Sequence, residues 1–375
     1  MNARTIEEYN AMASKLGDFG PAFPPLADIE DQPPAPTPPK AMDLHELAGH
    51  KFKERTPLLG NLLHSQDLAM VHAGRGIGKT HWALSVAFAV ATGGTFLRWT
   101  ALNARKVLYL DGELPGQVMQ KRLAMHLPDR EPLPGYFRTF TPDLLDSETL
   151  LPDLATARGQ DSINSMIEDD TALVVLDNLS AWARSGGKEN DEASWAPMAA
   201  WMLGLRRRGI AVLLVHHSGK NGEQRGTSKK EDLLDVVLKL KRPADYDPKE
   251  GSVFVMEFSK ARNLIGEDAE SLELALKVDE STKRATWAWK TATEGTFSRV
   301  VALANDGLKQ HEIAEELGIN KSNVSRAMTK ARELGLISKQ PDAKSCVVAR
   351  TKATQPRNFY ETSDVEDVEP LEVEP

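Results

Sequence analysis

The chain has 375 residues, 41% of them hydrophobic, a single cysteine and a formal net charge of −8. That length allows two domains and at least one large core, while the lone Cys346 excludes an intramolecular disulfide and a cysteine-built zinc site. The longest apolar stretch, Trp82 to Ala91, is about half the roughly 20 residues a membrane helix needs, and MNARTIEEYN lacks a signal peptide's apolar region, so a cytoplasmic protein with no membrane partner is expected.

All of the net charge sits at the ends. Residues 1–42 carry three basic and six acidic side chains, and residues 351–375 carry two and seven; the remainder has 41 of each sign. A neutral core leaves room for local basic surfaces. The N-terminal segment 1–42 is dominated by "PAFPPLADIEDQPPAPTPPK", which can build neither helix nor central strand, so an extended disordered arm is expected.

From residue 43 apolar strands alternate with helical patterns: LAMVHA, ALSVAFAVATGG, KVLYLDG, TALVVLDN, WMLGLRRRG, IAVLLVHH. Such alternation predicts an α/β fold with a mostly parallel sheet and helices on both faces. DVVLKLKR, SVFVMEFSKAR, LELALKVDE and ATWAWK add strands and close this domain at about residue 292.

Between LAMVHA and the alanine-rich helix lies "GRGIGKT". Strand, glycine-rich turn and helix in this order are the context of a P-loop. Gly74, Gly76 and Gly78 let backbone amides turn toward phosphate oxygens, and the helix N-terminus adds its dipole. Lys79 then reaches the β- and γ-phosphates and the Thr80 hydroxyl ligates magnesium, which makes ATP with Mg2+ the expected ligand pair. Ala73 stands where the strict pattern has glycine. The dinucleotide fingerprint fails, because its third glycine would fall on Lys79.

Carboxylates follow at the ends of later strands. Asp177 closes ALVVLD and fits the magnesium-site acid, while KVLYLDGELP delivers Asp111 and Glu113 to the same edge. Glu113 is the candidate general base; its alternative is a plain acid at the start of the next helix. His217 ends IAVLLVHH, where it could sense the γ-phosphate. Zinc is disfavoured because adjacent histidines on a strand point opposite ways.

After residue 292 the composition turns helical. "LKQHEIAEELGINKSNVSRAMTKARELGLISK" has a helix-turn-helix pattern, with Ile313, Ala314 and Leu317 on one apolar face, Gly318 at the turn, and Val324, Ala327, Ala331 and Leu334 on the next. A small domain over 293–350 is expected, with Gly335 to Arg350 as a wing. Lys321, Ser322, Asn323, Ser325 and Arg326 would face the major groove of duplex DNA, unless the module serves only protein contacts. The acidic segment 351–375 is expected to be a disordered tail.

In order and spacing, AGRGIGKT, YLDGELP, VVLDNLS, VHHSGK, QRGTS and FSKARN resemble the successive motifs of RecA-type ATPases, in the branch of the hexameric plasmid replication helicase RepA. The resemblance covers about residues 43–290. It implies a RecA-like fold, a homo-hexameric ring, and ATP sites between subunits in which Arg225 is an arginine finger and Lys260 and Arg262 a second basic pair. It also implies that loops following Asp177 and His217 line a pore for single-stranded DNA, with Lys220 among their candidates. The helix-turn-helix instead resembles that of bacterial regulators, and RepA lacks it. Two functions are therefore expected: a replicative DNA helicase or loader of a plasmid, phage or other mobile element, working with replication proteins, or an ATP-switched DNA-binding regulator that unwinds nothing.

Overall fold

The computed structural model describes residues 40–184, 192–218, 229–243, 246 and 251–337. The chain divides into two compact units, 1–52 and 53–375. In the first, a short helix spans Leu44–Gly49, started by a capping box in which Asp43 accepts from the amide of Glu46 and Glu46 accepts from that of Asp43.

The second unit is built on a nine-stranded sheet. Its strands in chain order are β1 (Leu68–Ala73), β2 (Lys106–Asp111), β3 (Phe137–Phe140), β4 (Thr171–Asp177), β5 (Ala211–His217), β6 (Val236–Lys241), β7 (Ser252–Ala261), β8 (Leu272–Val278) and β9 (Ala285–Thr291). They lie in the order β9-β8-β7-β6-β1-β5-β4-β2-β3. From β6 to β3 all pairings are parallel, and β7, β8 and β9 extend the sheet antiparallel. The expected parallel core is present. The edge strand β3 was not legible, since FRTF is too short and only half-buried.

Both faces of the parallel part are covered. Along β1 the side chains of Ala69, Val71 and Ala73 join the core under helix α1 (Lys79–Thr92), while Leu68 and Met70 point to the opposite core. Period-two alternation with both faces apolar is what a doubly covered strand requires. Helix α1 is itself buried nearly all round, from Trp82 to Ala91, and ends at Gly93 in the left-handed region. On the other face lie α3 (Ala157–Asn164) and α4 (Glu192–Arg208), with Ile163, Met198, Met202 and Leu205 buried against β4 and β5. Helix α2 (Gly116–His126) follows β2.

Three helices continue from β9: α5 (Ala292–Asn305), α6 (Gln310–Glu316) and α7 (Lys321–Glu333). Val300, Ile313, Ala314, Leu317 and Val324 form their own small core, matching the helix-turn-helix pattern. The expected wing lies outside the described residues beyond Ile337, as do the N-terminal arm up to residue 39 and the acidic tail.

Helix α5 is fastened to the sheet by charge. Glu273 of β8 is 0% exposed and takes Arg299 of α5 on one oxygen, with Lys290 of β9 3.6 Å from the other. Gly295 permits the approach, because a Cβ there would lie 2.7 Å from the Glu273 carboxylate. Removing one partner of a buried ion cluster leaves the other's desolvation uncompensated. Arg299→Ala should therefore cost about 3 kcal/mol in chemical denaturation, with the helix-turn-helix loosened first in hydrogen exchange.

Candidate nucleotide-binding site

The parallel strands bring the sequence-selected groups to one edge. Ala73 pairs with His217, Asp111 with Asp177, and Asp177 with Val215, so β1, β2, β4 and β5 end side by side. Together they floor a cleft of about 220 Å3 lined by Gly76, Gly78, Lys79, Thr80, Glu113 and Asp177 among others.

The turn after β1 has the backbone that glycine supplies. Gly76 has φ 72° and Gly78 φ 119°, and a Cβ on Gly78 would meet the Phe254 ring at 3.2 Å. Gly78 also caps α1 with no side-chain bond, leaving the first-turn amides facing the cleft. The Lys79 ammonium donates to the carbonyls of Ala73 at 3.1 Å and Gly74 at 2.9 Å. Burial lowers its pKa to about 8, against the raising effect of Asp177 and Glu113. A cation held there at some cost is ready for anionic oxygens.

Opposite lie the carboxylates. Asp177 is buried; desolvation raises its pKa, while hydrogen bonds from Thr80 and from Tyr109 (2.8 Å) pull the other way. Asp111 is 1% exposed and accepts from the amides of Glu113 and Leu114 and from the Thr141 hydroxyl, yet burial still raises its pKa to about 6. In the nucleotide-free protein the folded state holds the Asp111 proton more tightly than the unfolded chain, so stability is lost as pH rises from about 4 toward about 6. The difference of roughly two units is on the order of 3 kcal/mol. Asp111→Asn should flatten that fall, giving a melting temperature that changes less between acid and neutral pH than in the wild type.

Glu113, by contrast, is 54% exposed, and its Oε1 lies 3.6 Å from His217 Nε2. His217 is held by Asn178, whose Nδ2 is 3.0 Å from the same ring nitrogen. Asn178 Oδ1 already accepts from the amides of Ser180 and Ala181, so its NH2 must face the histidine and His217 Nε2 accepts. Burial also lowers the His217 pKa, which favours this neutral ring. Asn178 thus fixes the His217 ring, and Glu113 stands beside it without a hydrogen bond to that nitrogen.

Other assignments land elsewhere. Lys260 and Arg262 lie near the start of β6, at the register of Met70 and away from the P-loop. There Lys260 donates to the carbonyls of Glu231 and Asp232, and Arg262 pairs with Asp235 at 3.2 Å, so neither enters the cleft of its own chain. Arg225 and Lys220 fall outside the described residues. Lys321, Ser322, Asn323, Ser325 and Arg326 are all exposed on α7.

Sequence reasoning missed four contributors. Tyr109 sits inside an apolar strand and gives no polar signal. Asn178 directly follows Asp177, where a polar residue at a strand end could have been noticed. Arg122 lines the cleft from α2, and Arg242 donates to the Gly76 carbonyl at 3.2 Å while lying over the Tyr246 ring; both reach the site only through the fold.

A P-loop at the carboxyl edge of a mostly parallel sheet, with buried acids facing a lysine, defines a RecA-like P-loop ATPase fold, carrying a C-terminal helix-turn-helix. Residues 33–223, half of the chain, match the family model described as AAA domain, and the chain belongs to that family. Residues 300–345 match the MarR family. No curated protein matches the sequence. Among solved structures the chain is similar to the RadB recombinase (18% identity over 59% of this chain and 90% of that one, TM-score 0.41). It is also similar to the flagellar accessory protein FlaH from Methanocaldococcus jannaschii (10% identity, 61% and 91% coverage, TM-score 0.40). Among the described residues no helix is long and apolar enough to cross a membrane.

Proposed function

We propose that this ATPase is a ring-forming DNA motor, a replicative helicase or loader of a plasmid, phage or other mobile element. The observation that carries the reading is the shared cleft: Lys79, buried Asp177 and the Glu113–His217 pair face one another across a glycine cradle. Thr80 and Asp177 offer the hard oxygen donors that Mg2+ takes, and the ion would neutralise charge on the β- and γ-phosphates of ATP. Glu113 accepts the proton of the attacking water. His217, held by Asn178 beside that base, would sense the γ-phosphate. Lys79 neutralises the charge that grows on the transferring phosphoryl group.

In a homo-hexameric ring Arg225 would complete the site of the adjoining subunit, with Lys260 and Arg262 as further cations offered across that interface. The loop bearing Lys220 would touch single-stranded DNA in the pore. The helix-turn-helix would bind duplex DNA through α7, which carries four basic residues against one acid between Asn320 and Leu334. A second reading, an ATP-switched DNA binder without unwinding, is favoured by the rigid mounting of α5 on the sheet, since a switch needs its reader mechanically joined to the nucleotide domain.

The test is strand separation on a forked duplex by the purified full chain with ATP, using Lys79→Ala as the inactive control. ATP-dependent separation supports the motor. Duplex binding and ATP turnover without separation would leave the second reading.

A further inference from the structure

Helix α7 presents three stripes. Val324 and Ala331 are buried in the helix-turn-helix. Lys321, Ser322, Ser325 and Thr329 are exposed. Asn323, Arg326, Ala327 and Lys330, at the i, i+3, i+4, i+7 spacing of one helical face, line a groove of about 640 Å3 between α7 and the ATPase sheet. Across that groove stand Glu257 of β7, Glu270 before β8 and Glu294 of α5.

Opposite charges thus face each other without meeting. Among the described residues no ion pair joins Arg326 or Lys330 to these carboxylates. Arg326 instead donates to Asn323 at 2.7 Å and Lys330 lies 5.4 Å from the centroid of the Phe297 ring, while Glu257 pairs with Lys241 and Glu294 caps α5. The wall is also fixed in place, because the Glu273–Arg299–Lys290 cluster holds α5 to β8 and β9.

A recognition helix lies in a major groove about 12 Å wide, so phosphate backbones run along both of its flanks. Duplex DNA carries one negative charge per roughly 1.7 Å of axis. On one flank of α7 those phosphates would run against the acidic wall.

We propose that Glu257, Glu270 and Glu294 form a built-in restraint on DNA binding, keeping duplex DNA from the flank of α7 that carries Arg326 and Lys330. The proposal rests on the reading of α7 as a duplex-DNA helix given above. In this arrangement DNA meets the stripe of Lys321, Ser322, Ser325 and Thr329, and the groove-side cations contribute little.

The experiment titrates fluorescent duplex DNA with full-length Glu257→Gln/Glu270→Gln. Glu294 is left intact because it caps α5. Glu131→Gln/Glu148→Gln, two exposed positions outside the groove, makes the same change in net charge. The groove variant should bind about tenfold tighter near 0.1 M salt, where the screening length is about 10 Å, and the advantage should shrink as salt rises. The outside variant should match the wild type within about twofold. Arg326→Ala should change binding little in the wild-type background but weaken it several-fold in the groove variant, a coupling that mere loosening of the fold would not create. Equal affinities for groove variant, outside variant and wild type would overturn the restraint while leaving DNA binding intact. Absence of duplex binding by all of them would remove the DNA reading itself, and the restraint with it.

Discussion

Lys79→Ala is expected to reduce ATP turnover by about 10³ or more, because the transferring phosphoryl group loses the cation buried beside it. The same change should not unfold the protein. Burial depresses the Lys79 pKa from 10.5 to about 8, so in the nucleotide-free state at neutral pH the fold keeps this ammonium charged at a cost on the order of 3 kcal/mol. For a base with a lowered folded pKa that cost is present below about 8 and disappears above the unfolded value near 10.5. Lys79→Ala should therefore melt at the wild-type temperature or higher at pH 7, and the gap should close as pH rises toward 10. Steady-state phosphate release and thermal melts at two pH values read both halves. Wild-type turnover in the variant would refute the site, and a large fall in melting temperature would recast Lys79 as structural.

Glu113→Gln separates chemistry from binding. The glycine cradle, Lys79 and Asp177 stay in place, so nucleotide affinity should remain within about threefold while turnover drops by roughly 10² or more. The exposed Glu113 carboxylate carries little of the fold, and its loss should leave the melting temperature unchanged. Binding is measured with fluorescent nucleotide and turnover by phosphate release. Near-normal hydrolysis would return Glu113 to the role of an acid preceding α2. A matched loss in affinity and rate would mean that the Glu113 carboxylate shapes the cleft rather than the chemistry.

Much of this protein is determined by short-range patterning. Both faces of β1 are apolar at period two, the glycines of the turn permit positive φ, and α1 has no polar face, so strand, P-loop and buried helix follow from the local sequence. Asp177 and Glu113 were legible for the same reason: polar residues that end apolar runs must leave the sheet at its edge. The helix-turn-helix core was legible from the spacing of Ile313, Leu317 and Val324.

What spacing cannot convey is which edges and faces meet across the fold. The tertiary structure alone put Tyr109 on Asp177, Asn178 on His217 and Arg242 on the P-loop carbonyl of Gly76. It carried Lys260 and Arg262 to the end of β6 away from the P-loop, because an antiparallel β7 runs back along its neighbour. It also turned Asn323 and Arg326 toward an acidic wall contributed by residues 29 to 69 positions earlier in the chain. A helical pattern fixes which residues share a face; only packing of distant segments fixes what that face looks upon, since the buried Glu273 cluster that sets it joins a strand to a helix by contacts no periodicity encodes.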